Sequence, residues 1–97
     1  MFVAINRLKV PAEYAGRLEQ AFQQHAGGMT GVSGFVSFDL LRAEDGGEYL
    51  VVTRWHDRPS FEAWREGDAF SRAHSGTNPN SPVTSELGTY ETVLSRP

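Results

Sequence analysis

The chain has 97 residues, with 9 Lys and Arg against 12 Asp and Glu, a net charge of −3 and no cysteine. This length predicts one domain over residues 1–97, which buries only about 60–65% of its unfolded surface. The absence of cysteine excludes disulfides, thiolate metal sites and cysteine nucleophiles. One lysine and eight scattered arginines form no basic patch, so nucleic acid is not an expected partner.

The N-terminal sequence MFVAINRLKV lacks the basic lead, apolar run and small-residue cleavage site of a signal peptide. No uncharged apolar stretch approaches the ~20 residues that span a bilayer. We therefore expect a cytoplasmic protein without a membrane partner.

The first part of the chain predicts a strand and a helix. Residues Phe2–Lys9 are rich in Phe, Val and Ile and alternate between two faces, with the polar Asn6 on a mostly apolar face. Residues 11–25 follow a helical period and end before a glycine pair, which predicts an amphipathic helix. Its apolar stripe consists of Tyr14, Leu18 and Phe22.

A hairpin follows the helix. Residues Ser33–Leu41 and Glu48–Trp55 both alternate as strands do, and the turn-like sequence EDGG at 44–47 separates them. These are the two clearest strand patterns in the chain.

The last third of the chain predicts a helix, a loop and a strand. Asp57 is a suitable N-cap, and the helical sequence over 60–74 is interrupted by Gly67, which predicts two short helices. Residues Ser75–Ser85 contain many helix and strand breakers and predict a long loop. Residues Glu86–Leu94 predict the final strand.

The resulting order, β-α-β-β-α-β, predicts an α+β ferredoxin-like fold with a four-stranded antiparallel sheet and two helices on one face. The strands carry apolar residues on both faces, and two helices cover only one. An uncovered apolar face of this kind usually marks a protein interface. We therefore expect a sheet-to-sheet homodimer, which would form a dimeric α+β barrel.

Three histidines are the candidate metal ligands, since imidazole is the strongest transition-metal ligand left without cysteine. His25 near a helix end and His56 at a strand end are interpreted as surface residues. His74 follows Phe70 by one helical turn and precedes the loop, which makes it either a partly buried helix-end residue or a ligand beside a mobile segment. No HxxxH, HxH or HExxH pairing favours a bare metal site, so one histidine suffices only for a metal that brings other ligands, as in heme.

Two further residues have competing interpretations. Trp64 lies three residues after Phe61 at helical spacing, which is typical of core packing. Asn6 on its apolar face either bonds to the backbone or faces a polar ligand, because an unpaired buried amide costs about 1–3 kcal/mol. Neither a serine–histidine–acid order, a P-loop nor a GxGxxG motif occurs.

The stretch GFVSFDLLRAEDGGEYLVVTRWHDRPSFEAWREGDAFSRAH, together with Asn6 on the first strand, closely resembles the antibiotic biosynthesis monooxygenase superfamily. Within it, the chain is most similar to the heme-degrading monooxygenases of the staphylococcal iron-regulated surface determinant type and their mycobacterial relatives. The shared shell consists of GF on the second strand, TRW on the third, and a helix with F..W and AF...H.

The resemblance implies a role for three residues. His74 matches the proximal ligand of the heme iron, Asn6 the distal hydrogen-bond donor, and Trp64 the bulky wall that bends the macrocycle. Heme would then be both substrate and cofactor, opened by O2 and electrons from an unidentified external donor. The loop would open for heme entry and product release. Arg72 could reach a propionate, although a surface position suits it better.

Two alternatives stay open from the sequence. One is a cofactor-free monooxygenase of the same superfamily, acting on an aromatic or quinol-type molecule in the same cleft. The other is a heme-binding or signalling dimer without turnover. Neither the product of ring opening nor the source of electrons can be read from the residues.

Overall fold

The computed structural model describes residues 1–25, 31–66 and 84–97. The elements are β1 Phe2–Lys9, α1 Ala12–His25, β2 Phe35–Arg42, β3 Glu48–Trp55, α2 Arg58–Arg65 and β4 Thr84–Glu91. The strands form one four-stranded sheet in the order β2-β3-β1-β4, and all neighbours are antiparallel. The ferredoxin-like order expected from the sequence is confirmed. No helix in these three ranges is long and apolar enough to cross a membrane, and the cytoplasmic location stays a prediction.

β1 and β3 have the bounds that their alternating patterns predict, and α1 begins one residue later than predicted. Asp57 is the N-cap of α2 as expected: its Oδ1 accepts hydrogen bonds from the Ser60 backbone N–H at 2.9 Å and the Ser60 hydroxyl at 2.6 Å. The Ser60 hydroxyl, followed by its backbone N–H, holds the pKa of Asp57 below its ordinary value. The second short helix predicted after Gly67 lies outside the described residues.

The prediction for the last strand was wrong in its limits. The sequence indicated Glu86–Leu94, whereas β4 spans Thr84–Glu91. Its ladder partner is β1, and pairing runs from Lys9 opposite Thr84 to Phe2 opposite Glu91. Beyond Glu91 the partner strand has ended, so apolar Val93 is 96% exposed and belongs to no strand. The end of a strand depends on where its partner strand ends, and the apolar pattern of one segment gives no information about its partner.

The same shift corrects the predicted loop Ser75–Ser85. Its last two residues, Thr84 and Ser85, are paired in β4. The remainder of that loop lies outside the described residues.

The sheet presents two different faces. Residues directly opposite each other in antiparallel strands share a face, so Phe2 and Trp55 lie on one face with Leu8 and Tyr49. Both helices pack against this helix face. The other, open face carries no described helix, and its central residues are Val3, Ile5, Leu50 and Val52.

The helix face has two separate apolar clusters among the described residues. The α2 cluster consists of buried Phe2, Ala4, Trp55 and Phe61, with Val32, Phe35 and Trp64 packed against it. The α1 cluster consists of buried Leu8, Val10 and Tyr49, with Tyr14, Ala15, Leu18, Phe22, Leu40 and Val51 packed against it. The clusters share no residue. Each helix therefore has its own core, and the sheet joins them.

α1 is tied to the sheet by a polar contact as well as by apolar packing. The hydroxyl of fully buried Tyr49 on β3 donates to Oε2 of Glu19 on α1. The guanidinium of Arg42 at the end of β2 donates to the same oxygen at 3.0 Å. The Tyr49 hydrogen bond, followed by Arg42, lowers the pKa of Glu19, and the Glu19 hydrogen bond raises the pKa of Tyr49. A charged carboxylate thus accepts from a neutral phenol at neutral pH.

α2 is held by close approach instead. Gly34, just before β2, has a positive φ of 79°, and a Cβ placed there would overlap the Ser60 side chain. The Gly34 carbonyl also accepts the backbone N–H of His56 at 2.8 Å. The start of α2 therefore rests directly on the backbone of the β2 entry, where only glycine fits.

Replacing Gly34 by alanine is expected to lower the free energy of unfolding, measured by urea denaturation. The left-handed φ costs about 1–2 kcal/mol for any Cβ, and displacing Ser60 adds about 1–3 kcal/mol of overpacking. Gly46→Ala is the matched control, because Gly46 has a φ of 80° and no atom within 4 Å of the place that a Cβ would take. Equal losses in the two variants would contradict the contact with Ser60.

Replacing Glu19 by glutamine is expected to lower stability at pH 7 and to flatten the acid limb of the stability profile. The folded-state pKa of Glu19 lies below its ordinary value of 4.5, so its ionised form stabilises the fold above that pH. The contribution is lost as the pH falls through the lower, folded-state pKa.

The measurement is thermal unfolding of both proteins between neutral and acid pH. Glu62→Gln is the control, since Glu62 accepts from Arg58 at 2.8 Å in an exposed pair within α2 and should change stability little. A Glu19→Gln profile parallel to that of the wild type would show that the Tyr49 contact carries no pH dependence.

Candidate active site

The candidate site on the helix face is defined by β1. Its side chains on this face run Phe2, Ala4, Asn6 and Leu8. The first two belong to the α2 cluster and the last to the α1 cluster. Asn6 alone belongs to neither, so an amide lies where the two apolar clusters meet the sheet.

The Asn6 side chain has no hydrogen-bond partner within the described ranges. It is half-buried, and its cross-strand neighbours on the helix face are Val51 and Leu87. The sequence left two interpretations of Asn6, an amide bonded to the backbone or one that faces a polar ligand. Within the described residues, no backbone group bonds to it. The amide is available to a ligand with a polar group.

Trp64 lies in the α2 cluster, half-buried on α2. Its ring centroid is 5.4 Å from that of Trp55 and 6.3 Å from that of Phe61. Core packing, as helical spacing suggested, therefore accounts for one side of the indole. Its position on α2 also puts it on one of the two elements that flank Asn6, so packing and a role as a wall are compatible.

His74 and Arg72 lie outside the described residues, so the structure places two of the three predicted site residues, Asn6 and Trp64. His56 is exposed directly after β3, which agrees with the loop position expected for it. Within the described ranges no group of three or more His, Asp or Glu side chains could hold a metal ion. The part of the chain that the structure describes thus offers no bare metal site.

Sequence reasoning missed two residues beneath Trp64. Trp55 is 0% exposed, and its indole N–H donates to the Thr53 hydroxyl at 3.0 Å. That hydroxyl donates to the carbonyl of Ala4 at 3.3 Å. In the sequence these two residues were noted only as part of TRW on β3, which indicated the family resemblance and did not predict their hydrogen bond.

The shallow depressions found among the described residues lie elsewhere. One of about 320 Å³ is lined by Ile5, Leu50 and Tyr90 of the open face, among others. A second of about 130 Å³ lies near Arg7 and Lys9. Neither includes Asn6 or Trp64, so depression size does not identify the candidate site. The amide between the two clusters is the better guide, because ligand sites combine apolar walls with a few polar groups and no described group occupies this one.

Comparisons with known protein sequences identify a family and several relatives. The family model for antibiotic biosynthesis monooxygenase matches residues 1–76. A mycobilin-producing heme oxygenase of Mycobacterium tuberculosis is 39% identical over 94 residues, 95% of this chain and 89% of that protein. A staphylobilin-producing heme oxygenase of Staphylococcus haemolyticus is 31% identical over 102 residues, covering 98% of this chain and 97% of that protein.

A solved structure extends the likeness to three dimensions. The heme-degrader from Mycobacterium tuberculosis, with two hemes bound in its active site, matches with a TM-score of 0.84 and 36% identity over 100% of both chains. Since the family model covers most of the sequence and these relatives are more than 30% identical over almost all of it, the chain belongs to the antibiotic biosynthesis monooxygenase family.

Proposed function

We propose that this protein is an oxygen-dependent heme-degrading monooxygenase that binds heme between the α1 and α2 clusters. The observation that carries the proposal is the Asn6 amide, unbonded within the described residues and lying between the two apolar clusters of the helix face. The relatives that are more than 30% identical over almost the whole chain are named heme oxygenases. This supports heme over the cofactor-free alternative and turnover over binding alone.

The described residues fit heme chemically. A macrocycle that is flat and mostly apolar needs apolar walls, which Trp64 on α2 and Leu18 on α1 would provide from the two clusters. It also needs few polar groups at its centre, and Asn6 is one amide between those clusters. The strands on either side of Asn6 place no charge beside it, since its cross-strand neighbours are Val51 and Leu87.

His74 is the proposed iron ligand. The chain has no cysteine and three histidines, and heme needs only one protein ligand because the porphyrin supplies four nitrogens. A neutral imidazole at His74 would fix the ring in one orientation. Heme, when bound, supplies the iron centre for O2 activation by external electrons, and its own macrocycle is the substrate that opens to a bilin-like product and free iron.

The chain's own residues would position and shield this reaction. The Asn6 amide N–H would donate to negative charge that develops on the open side of the ring, as oxyanion-type donors do. Trp64 would press on the ring from α2, because Trp55 at 5.4 Å and Phe61 at 6.3 Å back its indole. The two apolar clusters would exclude water from the cleft, which strengthens the Asn6 hydrogen bond. The electron donor is a separate, unidentified partner.

Hemin titration followed by ascorbate under air is expected to produce a Soret band that then decays to bilin absorption. The His74→Ala variant is expected not to form the Soret band of bound hemin. Asn6→Ala is expected to bind hemin but turn it over about 100-fold more slowly, because a preorganised donor is lost. His56→Ala is the matched control, since His56 is exposed after β3, and it should behave as the wild type.

Each other result has a definite meaning. A Soret band that persists unchanged in the wild type under reductant would leave only heme binding. Absence of any complex, or normal turnover by His74→Ala, would remove the heme assignment and favour the cofactor-free alternative.

We also propose that the open face is the interface of a homodimer. Ile5, Leu50 and Val52 form its apolar centre, and beside them Leu41 is 48% and Tyr90 is 56% exposed. Two ion pairs flank this centre, in which Arg7 contacts Glu48 at 3.0 Å and Arg54 contacts Asp39 at 2.7 Å. An apolar strip with a charged rim is the usual anatomy of a protein interface.

Sedimentation equilibrium is expected to give twice the chain mass of 10.7 kDa for the wild type. Ile5→Glu is expected to shift the protein to monomer, because an unpaired charge would be buried at the interface centre. Val93→Glu is the control, since Val93 is 96% exposed beyond β4. A monomeric wild type, or a dimeric Ile5→Glu variant, would refute this interface.

A further inference from the structure

We propose that Thr53 and Trp55 are positioning residues that fix the orientation of Trp64 relative to Asn6. The inference rests on the proposed function, because it assigns a task to the indole of Trp64 in the cleft. It concerns two buried residues of β3 to which the sequence assigned no role.

The first step is the anchoring of Trp55. Its side chain is 0% exposed, and the Thr53 hydroxyl, on a residue 7% exposed, accepts its indole N–H at 3.0 Å. The hydroxyl uses its own hydrogen for the Ala4 carbonyl at 3.3 Å. An indole N–H buried without this acceptor would be unsatisfied. Thr53 therefore fixes the rotation of the Trp55 ring.

The second step is the contact between the two indoles. Three aromatic rings surround Trp55: Phe35 and Phe61 meet it edge-on at 5.4 and 5.7 Å, and Trp64 is tilted by 38° at 5.4 Å. Phe35 and Phe61 leave the Trp55 ring little freedom, because cores are close-packed. The surface on which Trp64 rests is consequently set by the rotation of Trp55.

The third step joins this stack to the amide. Ala4, whose carbonyl ends the hydrogen-bond chain, is two residues before Asn6 on β1, and both lie on the helix face. β1 thus carries both the Asn6 amide and Ala4, the last acceptor of the hydrogen bonds that orient Trp55 beneath Trp64. A displacement of about 1 Å in a positioning group can lower a rate about 100-fold, so this link bears directly on turnover.

The protein offers a readout that needs no heme. The chain has two tryptophans, and they are in ring contact, so an exciton couplet in the far-ultraviolet circular dichroism of the heme-free protein reports their relative orientation. Thr53→Val is expected to diminish this couplet, because it keeps the shape of the side chain and removes the hydroxyl. Thr53→Ser, which keeps the hydroxyl, is expected to restore it.

A matched control lies on the other side of Ala4. Thr89 pairs with Ala4 from β4 as Thr53 pairs with it from β3, but Thr89 is exposed and the Trp55 indole donates to Thr53 instead. Thr89→Val should leave the couplet of the heme-free protein unchanged. In the loaded enzyme, Thr53→Val is expected to lower kcat about 10- to 100-fold with little change in KM, and Thr53→Ser to recover most of it.

The proposal is overturned by a wild-type couplet in Thr53→Val, by a couplet loss that Thr53→Ser does not reverse, or by unchanged kcat in a Thr53→Val protein whose couplet has fallen. Should Thr53→Val fail to fold, Thr53→Ala removes the same hydroxyl without adding bulk and is judged by the same criteria. If the wild type does not bind hemin, the proposed function fails, while the couplet still decides whether Thr53 orients the indoles.

Discussion

The position of one amide on β1 is the constraint on which the arrangement of the helix face depends. β1 is the central strand that touches both β3 and β4, and its helix-face side chains supply both clusters. Asn6 interrupts the apolar row of β1: Phe2 and Ala4 before it belong to the α2 cluster, and Leu8 after it belongs to the α1 cluster.

The two helices on this face are held by different contacts. α1 depends on the contact of the Glu19 carboxylate with Tyr49 and Arg42 across to the sheet. α2 depends on the Asp57 carboxylate that caps it and on the absence of a side chain at Gly34. Both carboxylates have a lowered pKa, but the two anchors share no residue, so a change in one should leave the other helix in place. A rigid wall on the α2 side suits the indole stack that it carries.

Sequence patterns predicted what depends on local chemistry. The alternation in β1 and β3 and the cap at Asp57 are encoded within a few residues, and the structure has them at those positions. The limits of β4 depend on the length of β1. The apolar Val93 led us to extend the predicted strand beyond Glu91, the last residue that pairs with β1. For the same reason, Asn6 could be marked as unusual from its strand pattern, whereas its lack of a partner among the described residues became evident only once its neighbours were placed.

The sequence pattern could not identify residues that act by positioning another residue. Thr53 and Trp55 fit the ordinary alternation of a strand, and the sequence TRW does not show that the Thr53 hydroxyl links the Trp55 indole to the carbonyl of Ala4. That link depends on the β1–β3 register, which places Thr53 opposite Ala4.

Both proposed binding surfaces lie where the described helices leave the sheet uncovered. Within the described residues, helices of 14 and 8 residues pack on one face of the four-stranded sheet, each over its own cluster, and the other face carries no helix. The proposed heme site lies between the two apolar clusters, where the Asn6 amide interrupts the apolar row of β1, which suits a ligand with a polar centre and apolar flanks. The open face is broad and apolar with charges at its edge, which suits a second sheet. We therefore expect the proposed ligand and the proposed partner subunit to occupy opposite faces of the same sheet.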